Sequence, residues 1–205
     1  IRINPDAFDQ EAIRNTSTCM PDYQADQEAN AYLASCMADK DSAGGVIECR
    51  IQGVPVGIGD PVFEKLDANL AKAMMSIGAI KAFEIGDGVQ VSTANGSSNN
   101  DFFLSENGKI GKKTNHAGGI LGGISDGSEI VLRAYVKPTP SIFQEQETVN
   151  RNGENIHIQI KGRHDPIIVP RAVVVVEAMT ALTLADAMIG NMSSRISYLK
   201  DFYKT

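Results

Sequence analysis

The chain has 205 residues, 42% hydrophobic and 21% charged, which suits a single soluble globular domain, 1–205, with a sizeable core. A formal net charge of −6 speaks against a nucleic-acid partner, because phosphate neutralisation needs a basic face. Cys19, Cys36 and Cys49 are few and odd in number, which fits a reducing cytoplasm better than a disulfide framework.

The chain opens on Ile1-Arg2-Ile3, without Met and already alternating, so it is expected to be a piece cut from something longer. Residues 1–22 read as a strand remnant and a polar loop. Over 23–40, Ala25, Ala29, Tyr32, Leu33, Cys36 and Met37 share one helical face. Ile47, Cys49 and Ile51 alternate with polar residues as a strand, and a glycine-rich connection leads to Asp60-Pro61 as a helix start. The stripe Phe63, Leu66, Leu70, Ala73, Met74 and Ile77 predicts a helix over 61–77 closed by Gly78. Segments 79–85 and 89–93 read as strands around a Gly86-Asp87-Gly88 turn. Residues 94–114 are polar, lack periodicity and read as a long loop.

Residues 115–125 hold four glycines in six positions, letting a backbone approach something flat or anionic. Close packing against glycine is the competing explanation. No dinucleotide or P-loop motif is present. Ile130, Leu132, Ala134 and Val136 form a strand that exits into Lys137-Pro138-Thr139-Pro140-Ser141. That stiff polar end could grip an anion or simply leave a sheet edge. Residues 150–154 predict a hairpin turn, and Ile156, Ile158 and Ile160 mark a half-buried strand with His157 solvated. From Pro170 to Ile189 the apolar spacing favours a helix over the valine-rich propensity, and 193–205 a short terminal one. Glu177, Thr180 and Asp186 interrupt this run below the ~18 residues of a membrane span, so no membrane partner is expected.

Between that strand and helix lies Lys161-Gly162-Arg163-His164-Asp165-Pro166. A carboxylate beside Arg163, with Pro166 fixing its backbone, is what a positioned base or charge-orienting group needs. An Asp that merely begins a turn is the alternative. The histidines lack metal-ligand spacing with the cysteines, and no Gly-x-Ser-x-Gly elbow exists, so no metal is expected.

Taken together, several stretches resemble the chorismate synthase family. They are Gly53-Val54-Pro55, Gly59-Asp60-Pro61-Val62-Phe63, Leu66-Asp67-Ala68, Met75-Ser76-Ile77 and Glu84-Ile85-Gly86-Asp87-Gly88. Asn115 to Ser125, Lys137-Pro138-Thr139, Gly162 to Pro166, Arg171-Ala172-Val173 and Glu177-Ala178-Met179 follow in the family's order. The family core is expected over 45–190, with 1–44 matching loosely and 191–205 a tail.

The resemblance implies an α+β fold, a β-α-β sandwich of antiparallel sheets around core helices, assembled as a cytoplasmic homotetramer. It implies the shikimate-pathway anti-1,4-elimination of phosphate from 5-enolpyruvylshikimate 3-phosphate, giving chorismate and requiring reduced FMN. Carried over by motif, Asp165 would help manage the proton lost from the substrate ring. Arg163 would contact flavin or substrate anions, and Gly78, Ala79, Gly122, Lys137, Pro138, Thr139, Pro140 and Ser141 would line the flavin. The family's N-terminal Gly-Glu-Ser-His-Gly stretch, arginine-rich substrate loop and second catalytic histidine have no counterpart here. The 205 residues alone are therefore expected to be inactive. The competing class is a non-catalytic anion- or flavin-binding or assembly module on the same fold.

Overall fold

A computed structural model describes residues 1–162 and 164–204; Arg163, expected to contact anions, lies outside the described residues. In chain order the elements are α1 (Ala12–Asn15), α2 (Tyr23–Ala38), β1 (Gly45–Ile51), α3 (Leu66–Met75) and β2 (Ile80–Ile85). There follow α4 (Gly96–Asn99), β3 (Phe103–Glu106), β4 (Lys109–Lys112), β5 (Ile120–Leu121), β6 (Ile124–Ser125) and β7 (Ile130–Val136). The chain ends with β8 (Glu145–Val149), β9 (Asn155–Gln159), α5 (Val169–Asn191) and α6 (Ile196–Phe202). The fold is α+β, with antiparallel hairpins β3–β4, β5–β6 and β8–β9. It divides into two compact units, Ile1–Val46 with Val136–Val174, and Ile47–Tyr135 with Val175–Thr205.

In the first unit, Asp22 starts α2 by accepting from the backbone N–H groups of Gln24 and Ala25. The Asn4 N–H also donates to it, and this bond, followed by the helix N–H groups, holds the Asp22 carboxyl below the usual carboxylate range. Ala25, Ala29 and Cys36 are the buried face of α2, whereas Tyr32 and Met37, expected on the same face, are 54% and 62% exposed. The β8–β9 hairpin turns through Asn150, whose N–H donates to Glu154 O at 3.0 Å. Residues 1–3 do not form the expected strand, and a 3-10 turn at Pro5–Ala7 follows them.

The second unit carries a three-stranded sheet in the order β1-β7-β2. β7 alternates as expected, with Ile130, Leu132, Ala134 and Val136 buried. On its other face Arg133 Nε donates to Glu48 Oε2 at 2.9 Å, and Tyr135 Oη donates to Glu84 Oε2 at 2.6 Å. α3 packs on β2 and β6 through Leu66, Leu70 and Met74, each 0% exposed and four residues apart. Truncating Leu70→Ala is expected to cost about 2–5 kcal/mol of stability by lost burial plus a cavity, read from urea denaturation.

Three expectations in this unit are corrected. The helix predicted over 61–77 is only Leu66–Met75, because Leu66 N–H donates to Gly123 O at 2.8 Å and the chain turns sharply before it. Phe63 has φ +57 and is 90% exposed, so it is no part of the buried stripe. Segment Gly88–Thr93 is a 3-10 turn rather than a strand. The stretch 94–114 is not structureless, since it holds α4 and the β3–β4 hairpin.

α5 forms over 23 residues despite its valines, so packing overrides a propensity of a few tenths of a kcal/mol per residue. The expected interruption by Glu177, Thr180 and Asp186 does not hold. α5 is long and apolar enough to cross a membrane by length and composition, with a mean hydropathy of 1.8 over its best window.

Candidate functional site

Two of the motifs singled out by sequence meet within the first unit. The Ser42–Gly44 segment runs between them: Ser42 Oγ donates to Thr139 O at 2.7 Å, while Ala43 N–H donates to Pro166 O at 2.7 Å. Gly44 makes this approach close, because a Cβ there would stand 2.7 Å from Val136 O. Nearby, the His164 ring packs edge-on against Phe143, with centroids 4.7 Å apart. The strip 137–141 and the His164-Asp165-Pro166 corner are therefore held around one short segment.

Two atoms in this cluster have no partner among the described residues. Thr139 Oγ1 and His164 Nε2 are both buried without a hydrogen bond. A buried polar atom left unpaired costs about 1–3 kcal/mol, so each of these atoms is a place where a water or a polar ligand can complete the hydrogen bonding. Asp165 Oδ2 accepts from Arg171 Nη1 at 2.7 Å. Lys137 is exposed and leaves its charge available at the strand end. A cation, an unpaired hydroxyl, an unpaired imidazole nitrogen and a carboxylate suit an anionic or polar ligand.

In the second unit a buried polar network holds the glycine-rich bend. Lys112, 3% exposed, donates from Nζ to Asp126 at 2.6 Å and to Asp101 at 3.5 Å. Asp101 also accepts from the N–H groups of His116 and Ala117 and from the Thr114 hydroxyl. His116 Nδ1 lies 2.6 Å from Asp87 Oδ2, and Asp87 N–H donates to His116 O at 2.9 Å. Burial works to raise the Asp101 carboxyl, but its three hydrogen bonds and the Lys112 charge overcome this and hold it at about 2. Its folded value lies below the ~3.9 of an unfolded chain, so its stabilising contribution is present above about pH 4. That contribution should be lost as pH falls through about 2. Thermal melts across that range should show a steep acid limb in the parent and a shallower one in Asp101→Asn.

Of the remaining expected flavin contacts, Gly78 and Ala79 follow the C-terminal end of α3. Ala79 has φ +70, a left-handed backbone that costs a non-glycine residue energy and concentrates at functional sites. Gly122, at the β5–β6 turn, has φ +61 and open space where a side chain would stand. It neighbours Gly123 at the N-terminal end of α3, so the two predicted contacts flank a ten-residue helix about 15 Å long. The buried, unpaired Nε2 of His164 was missed by sequence reasoning; its position between Arg163 and Asp165 was the available signal. The Asp87–His116 and Lys112–Asp126 pairings had no local signal, being 29 and 14 residues apart. No metal-binding cluster is present among the described residues.

The chorismate synthase family profile matches residues 2–189 of this chain. The chain is 60% identical over 205 residues to chorismate synthase of Lachnoclostridium phytofermentans, covering 100% of itself and 56% of that protein. It is 59% identical over 204 residues to that of Agathobacter rectalis, with the same coverage, 100% and 56%. A crystal structure of chorismate synthase superposes with a TM-score of 0.74 at 31% identity, over 93% of this chain and 51% of that one. The chain thus spans about half the length of the relatives it matches, and with most of its residues matched in sequence and fold it belongs to the chorismate synthase family.

Proposed function

We propose that these 205 residues form the C-terminal part of an FMN-dependent chorismate synthase. In that reading the whole protein eliminates phosphate from 5-enolpyruvylshikimate 3-phosphate, works in the cytoplasm and assembles as a homotetramer. The observation that carries the reading is the meeting of 137–141 with His164-Asp165 around Ser42–Gly44, with Thr139 Oγ1 and His164 Nε2 left unpaired. Family membership supports the reaction class, and its members' names supply the product.

Reduced flavin, when bound, supplies electron density that stabilises charge as the phosphate leaves. This chain's residues bind and orient. The Lys137 ammonium offers an anion contact, and the Thr139 hydroxyl and His164 Nε2 offer hydrogen bonds whose cost of burial is already met by the fold. Arg163 belongs to the same proposed contact set. Gly78, Ala79 and Gly122 let backbone N–H groups approach without a side chain or in a strained, pre-set conformation. Asp165, angled by Pro166 and held by Arg171, orients or relays the proton lost from the substrate ring.

The charge inventory favours a second statement: the 205 residues alone do not catalyse the reaction. A substrate with a phosphate and two carboxylates needs strong cationic focusing. Lys112, one of the few candidate cations, is spent on Asp101 and Asp126. Titrating FMN fluorescence with this chain, and with a full-length protein containing it, should give weak or no quenching by the first and tight quenching by the second. Chorismate formed by the 205 residues with reduced FMN in stopped flow would overturn this, and tight binding without turnover in the full-length protein would favour a non-catalytic binding module.

A further inference from the structure

Residues 42–45, which lead into β1, divide their contacts between two motifs. Ser42 Oγ reaches the Thr139 carbonyl, and a Cβ on Gly44 would stand 3.1 Å from Pro138 Cδ, so the even positions meet the strip 137–141. Ala43 N–H donates to Pro166 O, and a Cβ on Gly45 would stand 3.0 Å from Val169 Cγ2. The odd positions therefore meet the corner that follows Asp165.

The strip depends on such contacts because a β ladder cannot tie it down. Pro138 and Pro140 stand on either side of Thr139 and bring no N–H group. Side chains hold its carbonyls instead: Ser42 Oγ donates to Thr139 O at 2.7 Å, and Gln146 Nε2 donates to Pro140 O at 2.9 Å. The Gln146 bond is exposed and competes with water, whereas the Ser42 bond is part-buried. It also falls on the residue whose own buried Oγ1 is unpaired.

We infer that Ser42 is a positioning residue for the reaction. Its hydroxyl fixes the backbone of Thr139, and with it the direction of Thr139 Oγ1, while the neighbouring Ala43 N–H fixes Pro166 beside Asp165. One short segment thereby sets the spacing between the strip that contacts flavin and the carboxylate that handles the proton. A displacement of a fraction of an ångström at such a place lowers turnover as well as binding. The inference rests on the flavin reading of 137–141 and adds to it a residue that acts through Thr139 rather than on the flavin.

The test uses a full-length enzyme carrying these residues, with FMN affinity from titration calorimetry and steady-state kinetics at saturating FMN. Ser42→Ala should weaken FMN binding by about three- to tenfold, the scale of one net hydrogen bond. At saturating FMN it should still lower kcat at least about threefold while KM for the substrate stays within about threefold. Ser42→Thr, which keeps the hydroxyl, should restore both, and Ser42→Cys, a weaker donor of similar size, should fall between. Combined with Thr139→Val, the loss of FMN affinity should be less than additive, because the hydroxyl that Ser42 aims is then gone. Additive losses, no rescue by Ser42→Thr, or a lower Tm as the sole change in Ser42→Ala would each overturn the inference. Weaker FMN binding in Thr139→Val with none in Ser42→Ala would overturn it alone, whereas unchanged affinity in both would overturn the flavin reading with it.

Discussion

Replacing Asp165 by Asn in a full-length enzyme carrying these residues is expected to lower turnover by about 100-fold to 10,000-fold, the usual worth of a positioned proton-handling group. Substrate affinity should stay within about threefold, because the loss falls on the reacting state rather than on binding. The structure argues that such a loss would not be a folding defect. Asp165 pairs with Arg171, whose side chain is 72% exposed, and ion pairs of that kind contribute about 0–1 kcal/mol. Asn keeps an oxygen to accept from the same guanidinium. Steady-state kinetics beside a urea melt of the variant separates the two effects, and unchanged turnover would remove Asp165 from the reaction.

Lys112→Met should be the most damaging single change to the second unit's stability. The substitution keeps the length of the side chain but leaves Asp101 and Asp126 buried, 4% and 9% exposed, without their cation. Breaking one side of a buried ion cluster costs about 3–5 kcal/mol, since the surviving charges lose their partner in a poorly hydrated site. For a chain of this size that is a fall in Tm on the order of 10 °C. Adding Asp126→Asn should recover part of the loss, because one stranded charge is then removed. Differential scanning calorimetry of the single and double variants measures both.

The elements most legible from sequence were those whose pattern and packing agree. β7 alternates in sequence and in burial, the 150–154 turn joins β8 to β9, and α2 buries the face that its alanines predict. The misses have local physical causes. The start of α3 was placed too early because Asp60-Pro61 mimics a helix start, whereas the Gly123 carbonyl fixes the first turn at Leu66. The β3–β4 hairpin carried a readable sign, Asn107-Gly108, both at positive φ as a tight hairpin turn requires, but polar flanking residues hid its strands. The site was half legible. Lys137 to Ser141 and Asp165 were found as separate motifs, while their meeting around Ser42–Gly44 depends on contacts about a hundred residues apart, such as Ser42 with Thr139. Segment 1–44 thus contributes the piece that joins them.

The most direct test of the flavin site is the affinity of the full-length enzyme for FMN when Thr139 is replaced by Val. The change removes one buried, unpaired hydroxyl while preserving side-chain shape, so the fold should be undisturbed or slightly stabilised. If Thr139 Oγ1 meets the flavin, isothermal titration should show binding weakened by about tenfold, the worth of one buried hydrogen bond. Unchanged affinity would contradict the placement of the flavin against 137–141.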